Sequence, residues 1–199
     1  SHIADVLLSR GFAVRAAVRP TSNHRWIEGK NIEAMVVDLA DADSCDRFLE
    51  ACDGVIHCAG VVTASSEDLY RQANVLTTGN LLSRAQQTWA HRDDSPAFIF
   101  ISSMAAHGPA GLDKPAVESH RPSPITAYGR SKLAAEEAVL QDNWNFRRAI
   151  LRPPSLYGPR DPEFLPLFKA AKKGITARLG RSMTGLSLVH GHDAATAAV

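Results

Sequence analysis

A tyrosine, a lysine and a serine in this chain have side chains that together could move a proton. Tyr128 and Lys132 are four residues apart, and residues at that spacing share one face of a helix. A free phenol has a pKa of about 10, and a nearby cation lowers that pKa towards the range in which proton transfer is efficient. Tyr128 is therefore a candidate general acid/base, and the Ser103 hydroxyl could reach the same reacting atom.

The spacing of Tyr128 and Lys132 alone also fits a solvated pair on a helix surface. The order of the surrounding elements favours the functional interpretation. The apolar run 97–101 predicts a strand that ends at Ser102-Ser103. Residues 108–124 are rich in glycine, proline and charge, which predicts a loop, and 127–140 then predict the helix that carries the pair. A strand, a loop and a helix in this order would bring the three side chains together.

The elements that must position these residues follow an alternating pattern. Residues 2–10 predict an amphipathic helix that ends at Gly11. Further strands are predicted at 12–18, 31–37, 54–58, 97–102 and 148–151, and helices at 44–51, 67–90 and 127–140. Strands that alternate with helices of this length indicate βαβ units, a parallel sheet and helices on both of its faces.

Composition favours small-molecule chemistry in one domain. The 199 residues are 45% hydrophobic and 22% charged with a net charge of +1, which gives no basic surface for nucleic acid. No apolar run approaches the roughly 18 residues of a membrane span. Cys45, Cys52 and Cys58 are an odd number without metal-type spacing, which predicts reduced thiols and a cytoplasmic location.

The chain resembles the extended short-chain dehydrogenase/reductase family, also called the NAD(P)-dependent epimerase/dehydratase family. The resemblance covers almost the whole chain and depends on motifs in a fixed order. They are Asp38-Leu39, Cys58-Ala59-Gly60, Asn74, Ser103, Tyr128 with Lys132, the stretch 151–159, and Leu188-Val189-His190 before Asp193-Ala194-Ala195. The resemblance implies a doubly wound parallel sheet of the Rossmann type.

The resemblance also implies roles for matching residues. Tyr128 would exchange a proton with a substrate oxygen that Ser103 hydrogen-bonds, and Lys132 would bind the nicotinamide ribose. Asn74 would be the family's supporting asparagine, although a helix-packing role is the alternative. The cofactor would contact Asp38 and Leu39 at its adenine, Cys58, Ala59 and Gly60 at a close backbone approach, and Pro153, Ser155 and Leu156 at its nicotinamide.

Arg19 follows the predicted strand 12–18, and the resemblance implies that the family selects its cofactor there. An acidic residue there would bind the ribose hydroxyls of NAD, whereas the planar guanidinium suits the 2′-phosphate of NADP. Because no Asp or Glu lies between Arg19 and Trp26, NADP is favoured over NAD. Arg19 could also be a simple surface cation.

Two features of the family pattern are not found in the sequence. A strand and a Gly-rich turn precede the first helix in the family, but here the chain begins at Ser1. That strand is central in the sheet, so we expect two unpaired strand edges without it. We therefore expect residues 1–199 to be an NAD(P)-binding fragment of a longer protein, truncated in the substrate region into which 153–199 lead.

Two enzyme classes and one regulatory class remain open. The first is a reductase or dehydrogenase that acts on a carbonyl or secondary alcohol, and the second a nucleotide-sugar epimerase or dehydratase. The third is a non-catalytic dinucleotide sensor, which would not need the Ser103, Tyr128 and Lys132 set. We expect a small-molecule substrate and no nucleic acid or membrane partner, and a homodimer is a candidate assembly.

Three further polar sites receive simpler interpretations. His107 stands where relatives carry a tyrosine, and a local backbone hydrogen bond is favoured over a substrate contact. His190, His192 and Asp193 lie at a predicted strand-to-helix junction and are not expected to bind a metal. Arg160 could approach a substrate phosphate or form a surface ion pair.

Overall fold

The computed structural model describes residues 1–111, 113–175 and 185–199, which form parallel strands alternating with helices. The strands are β1 (Val14–Val18), β2 (Ile32–Val36), β3 (Gly54–His57), β4 (Ala97–Ile101), β5 (Arg147–Leu151), β6 (Ser155–Tyr157) and β7 (Leu188–His190). The helices are α1 (His2–Ser9), α2 (Ala42–Leu49), α3 (Glu67–Tyr70), α4 (Thr77–Thr88), α5 (Met104–His107), α6 (Ala127–Val139), α7 (Leu165–Lys172) and α8 (Gly191–Ala197). The predicted α/β fold of the Rossmann type is confirmed.

The strands form three parallel sheets, in the orders β1-β2, β3-β4-β5 and β6-β7. Among the described residues, β1 pairs only with β2, and β3 pairs only with β4. The break between β1 and β3 lies where we expected two unpaired edges. Because all pairs are parallel, the carboxyl ends of neighbouring strands meet at one edge of each sheet.

The core lies on one face of the central strand β4. Phe98 and Phe100 are fully buried, whereas Ala97, Ile99 and Ile101 on the other face are partly exposed, as the two-residue period of a strand requires. The first face packs against α2, α4 and α6, whose buried residues include Phe48, Leu49, Leu81, Leu82, Ala135 and Val139. Helices α1 and α8 pack together on the other face, where Ile101 lines a cavity with them.

Side-chain caps mark the first residues of several helices. The Asp41 carboxylate accepts a hydrogen bond from the Ser44 amide at 2.8 Å, and the Thr126 hydroxyl accepts one from the Gly129 amide at 3.0 Å. Caps of this kind satisfy backbone donors that have no partner within the helix. Thr126 therefore determines where α6, and with it Tyr128, begins.

A π-helix occupies Arg71–Leu76 between α3 and α4. The sequence predicted one mostly regular helix over 67–90, so the wide turn is a difference from the prediction. Asn74 lies in this turn and is only 1% exposed. Single π turns are frequent at functional sites, since they change the direction of side chains locally.

Among the described residues, no helix combines the length and the apolar character that crossing a membrane would require.

Candidate active site

Ser103 lies where β4 ends and α5 begins. Its hydroxyl accepts a hydrogen bond from the Ala105 amide at 3.1 Å, so Ser103 is the cap of a helix that the sequence analysis missed. The backbone on both sides is fixed to the end of β5, because the Ser102 amide donates to Leu151 at 2.7 Å and the Met104 amide donates to Pro153 at 3.0 Å. The hydroxyl of Ser103 is therefore held on a rigid corner.

Tyr128 lies in the first turn of α6, and its phenol is close enough to the Ser103 hydroxyl for that hydroxyl to act on its pKa. Burial raises the pKa of the Tyr128 phenol, and the neighbouring Ser103 hydroxyl lowers it by a smaller amount. We expected Lys132 to lower this pKa towards neutrality. The direction in the structure is the opposite, because desolvation disfavours the phenolate more than its neighbours favour it.

Lys132 is 5% exposed, and its ammonium donates to the Ile101 carbonyl at 2.8 Å. The same nitrogen lies 4.3 Å from the centre of the Phe100 ring. Burial lowers the pKa of Lys132 to about 8. The ammonium is thus directed to a strand carbonyl rather than to the phenol, and with one of its three donors used by Ile101 it retains capacity for a hydroxyl ligand.

Asn74 connects the loop after β3 to α6. Its amide nitrogen donates to the Val61 carbonyl at 3.0 Å and to the Ser131 hydroxyl at 2.9 Å, and its oxygen accepts from the Val61 amide at 2.7 Å. Ser131 in turn donates to the carbonyl of Tyr128 at 2.7 Å. The packing alternative for Asn74 is therefore present in the structure, and it acts directly beneath the Tyr128 turn.

The loop after β3 contains Cys58, Ala59 and Gly60, all of which are exposed. Gly60 has φ +154, and a Cβ on it would lie 2.7 Å from the Asn74 side-chain oxygen. Only glycine therefore fits where the loop passes Asn74. Because β3, β4 and β5 are parallel neighbours, this loop, Ser103 and Pro153 all follow strands at the same edge of one sheet.

Three predicted cofactor residues lie on the other sheet. Arg19 follows β1, is exposed, and its amide donates to the Ser22 hydroxyl at 2.9 Å. Asp38 and Leu39 follow β2, and the carbonyl of Leu39 accepts a hydrogen bond from Asn80 at 2.7 Å. In the described residues, no hydrogen bond or ion pair joins these three residues directly to the Ser103, Tyr128 and Lys132 set.

A cavity of about 560 Å³ opens beside the end of β5. Pro153 and Leu156 line it, together with largely apolar residues of α1 and α8, but Ser103, Tyr128 and Lys132 do not. Ser155 is exposed in β6. This cavity therefore adjoins the predicted nicotinamide side rather than the proton-transfer set, so side-chain chemistry rather than the cavity identifies the candidate site.

Buried groups that the sequence analysis missed lie directly behind this site. His57 is 3% exposed, stacks on Phe100 and bonds to the Thr78 hydroxyl at 2.9 Å, and burial lowers its pKa to about 3. Glu136 is fully buried one helical turn after Lys132, where Arg152 pairs with it. The signal in the sequence was Glu136 itself, a charged residue on the same helix face as Lys132 and Val139.

The three sites with simpler interpretations each have a partner within the protein. His107 is 8% exposed, and its Nδ1 bonds to the adjacent Gly108 carbonyl at 3.2 Å. His190 caps α8 by accepting from the His192 amide at 3.3 Å, at the predicted strand-to-helix junction. Arg160 pairs with Asp5 of α1 at 2.7 Å.

The family model described as "NAD dependent epimerase/dehydratase family" matches residues 1–199. A ceramide reductase from Caulobacter vibrioides is 26% identical over 194 residues, which are 98% of this chain and 54% of the relative. A putative dihydroflavonol 4-reductase from Synechocystis is 32% identical over 204 residues, which are 98% of this chain and 57% of the relative. The chain therefore spans about half the length of these curated relatives.

A solved structure has the same fold. It is the crystal structure of UDP-glucuronic acid 4-epimerase from Bacillus cereus in complex with UDP-glucuronic acid and NAD. It superposes with a TM-score of 0.77 at 23% identity and covers 98% of this chain and 66% of that chain.

Proposed function

This chain belongs to the NAD dependent epimerase/dehydratase family, and from that premise we propose that the protein is an NAD(P)-dependent oxidoreductase acting on a carbonyl or secondary alcohol. The observation that carries the proposal is the position of Tyr128 beside Ser103, at the sheet edge that also carries Gly60 and Pro153. Residues 1–199 are the NAD(P)-binding domain, and 153–199 lead into the substrate-binding part.

The residues of this edge fit a dinucleotide. Gly60 gives the backbone close access, Pro153, Ser155 and Leu156 would border the nicotinamide, and Lys132 has donors left for a ribose hydroxyl. When bound, the cofactor supplies a hydride donor or acceptor. Asp38, Leu39 and the loop from Cys58 would hold the adenosine half.

The chain's own part of the reaction is the movement of one proton. The Tyr128 oxygen donates its proton to the substrate oxygen during reduction and accepts it during oxidation. The Ser103 hydroxyl donates a hydrogen bond to that same oxygen and stabilises the charge that develops there. With its pKa raised by burial, the Tyr128 phenol is protonated at neutral pH, which is the form that donates a proton during reduction.

We infer that NADP is the preferred cofactor, because Arg19 is exposed directly after β1 without an acidic neighbour before Trp26. A guanidinium binds a 2′-phosphate through two parallel hydrogen bonds. NAD remains the alternative, and NAD is the nucleotide in the Bacillus cereus structure.

Our second candidate function is that of a nucleotide-sugar epimerase or dehydratase, because the fold matches that of the Bacillus cereus epimerase. The same proton transfer would serve a hydride that leaves the substrate and returns to it. Net consumption of NAD(P)H distinguishes the two functions, since only a simple reductase uses one reduced cofactor per product.

The experiment uses the full-length protein and the variant Tyr128→Phe. Absorbance at the reduced-nicotinamide band follows turnover with a panel of ketones and with UDP-glucuronic acid. We expect kcat to fall by about 10²- to 10⁴-fold with the affinity for NADPH unchanged. Tyr70→Phe is the comparison variant, because it removes a phenol hydroxyl that donates to the Val62 carbonyl at 3.1 Å and acts on Tyr128 only by raising its pKa, so kcat should change far less. Undiminished turnover in Tyr128→Phe would reject the catalytic role of Tyr128. Binding of NADPH by the wild-type protein without any turnover would favour the dinucleotide sensor.

The proposal also covers surroundings and assembly. Cys45, Cys52 and Cys58 are all free thiols, which supports a reducing, cytoplasmic location. We also propose a small-molecule substrate and a homodimer. Analytical ultracentrifugation of the full-length protein tests the dimer.

A further inference from the structure

Glu136 is a fully buried carboxylate in the middle of α6. It accepts a hydrogen bond from the Ser102 hydroxyl, and Arg152 approaches both of its oxygens, with Nε at 2.9 and 3.1 Å. Both carboxylate oxygens therefore have partners, and the guanidinium contact is of the two-pronged kind that fixes direction as well as distance. We call Ser102, Glu136 and Arg152 the buried triad.

Each member of the buried triad comes from a different element. Ser102 directly follows β4, Glu136 belongs to α6, and Arg152 directly follows β5. Each is also next to a residue of the proposed site. Ser102 precedes Ser103, Arg152 precedes Pro153, and Glu136 lies one turn after Lys132 on the same helix face.

A buried ion pair of this kind is a weak explanation for stability. The desolvation of both charges offsets most of their attraction, and well-packed apolar side chains are often as stabilising. The buried triad does, however, fix the height of α6, which here means its position along the helix axis relative to the carboxyl ends of β4 and β5. Nonpolar packing defines such a height less sharply, because it has no preferred direction.

We propose that Glu136 is a positioning residue for proton transfer, which holds Lys132 and Tyr128 on α6 at the correct height beside Ser103. The inference rests on the proposed function and extends it to a residue that touches neither substrate nor cofactor. Lys132 depends on this height directly, because its ammonium must reach the Ile101 carbonyl one residue before Ser102. A misplacement of about 1 Å at a reacting group can cost about 10²-fold in rate.

The buried triad also sets the charge around Lys132. The groups that act on Lys132 are Glu136 from its own helix and Cys58 from the loop after β3, and His57 of β3 lies nearby in its neutral form. Glu136 favours the ammonium form of Lys132. Without this carboxylate, Lys132 would lose its proton at lower pH, and Arg152 would remain as an unmatched cation.

The first test is Glu136→Gln in the full-length protein, with Glu137→Gln as the matched control at an exposed neighbouring position. We expect kcat to fall by about 10²-fold, with little change in the affinity for NADPH. The alkaline limb of the pH–kcat profile should also move to lower pH. Glu137→Gln should leave kcat and the profile unchanged. A wild-type kcat and profile in Glu136→Gln would overturn the proposal.

The second test separates positioning from stability. The variant Ser102→Ala/Glu136→Leu/Arg152→Met replaces the whole triad by apolar groups, and we expect its urea midpoint to be at or above that of Glu136→Gln. Its kcat should nevertheless stay low. Recovery of both midpoint and kcat would show a merely structural role and overturn the proposal. If neither variant folds, Arg152→Lys is used instead, because it keeps the charge but not the two-pronged contact. A wild-type kcat in Arg152→Lys would also overturn the proposal.

Tyr128→Phe, measured in parallel, shows which proposal fails. If Tyr128→Phe is inactive while every triad variant is fully active, only the positioning role is refuted. If Tyr128→Phe retains turnover, the proposed function fails and the positioning role fails with it.

Discussion

Gly129→Ala should move Tyr128 away from Ser103, the two residues that the proposed proton transfer needs. Gly129 follows Tyr128 in α6, where the helix passes α5. An added Cβ would lie 3.0 Å from the Ala105 carbonyl carbon and 3.1 Å from Pro124 Cβ, and closer still to the Ala105 oxygen. Real Cβ atoms essentially never come within 3.0 Å of another group, and backbone atoms cannot move aside as a flexible side chain can.

The helix must therefore move away from α5 by roughly 1 Å, which corresponds to a loss of about 10²-fold in kcat for a misplaced reacting group. Overpacking of this kind also costs about 1–3 kcal/mol in the free energy of unfolding. The higher helix propensity of alanine offsets at most about 1 kcal/mol of that cost.

Steady-state kinetics and urea unfolding of the full-length protein measure the two effects. Gly79→Ala is the matched control, because Gly79 lies within α4 and an added Cβ meets nothing within 4 Å. Gly79→Ala should stabilise the protein by up to about 1 kcal/mol and leave kcat unchanged. If Gly129→Ala keeps wild-type kcat and stability, the close approach of α6 to Ser103 is not needed and the reasoning fails.

Three other perturbations give distinct results. The pKa of His57 is about 3 in the folded protein and about 6.5 in the unfolded chain, so the protein loses stability as the pH falls below about 6.5. At pH 5 the loss in the free energy of unfolding is about 2 kcal/mol. Urea unfolding of His57→Gln should not show this pH-dependent loss. Equal pH dependence in both proteins would contradict this. Asn74→Asp removes the amide bonds to the Val61 carbonyl and the Ser131 hydroxyl and should cost about 2–4 kcal/mol in urea unfolding. A loss no larger than that of Asn80→Asp, whose part-buried amide donates to the Leu39 carbonyl and weakly to the Cys45 sulfur, would refute the connecting role. Arg19→Ala should weaken NADPH binding by at least about tenfold and leave NADH binding unchanged in fluorescence titrations, whereas equal losses would remove the phosphate role.

The sequence predicted those parts of the fold that repeat a pattern over several residues. The run Ala97-Phe98-Ile99-Phe100-Ile101 has the continuous apolar character of a central parallel strand, and it forms one. The helix predicted at 127–140 is found at Ala127–Val139. The π turn, the four-residue helix α5 and the three-residue strand β6 were missed, because elements so short have no measurable period.

The site was predicted less completely, since sequence spacing gives a shared face but not a partner. Four residues place Lys132 beside Tyr128, yet the ammonium bonds to Ile101, a residue 31 positions away. The role of Glu136 likewise depends on its ion pair with Arg152, which directly follows β5 and lies outside α6. Partners of this kind depend on the distance between elements, and that distance is set by the packing of the whole core.

The wide turn at Arg71–Leu76 has a consequence for changes in chain length. A π turn takes up one residue more than a regular turn, so it absorbs an insertion while the helix on either side keeps its facing. Shortening this turn by one residue should restore a regular helix and leave Leu81 and Leu82 in the core. Asn74 alone would then lose its direction towards the β3 loop. A one-residue change in length at this turn would therefore act on the Asn74 contacts with Val61 and Ser131 and leave the core contacts of α4 in place.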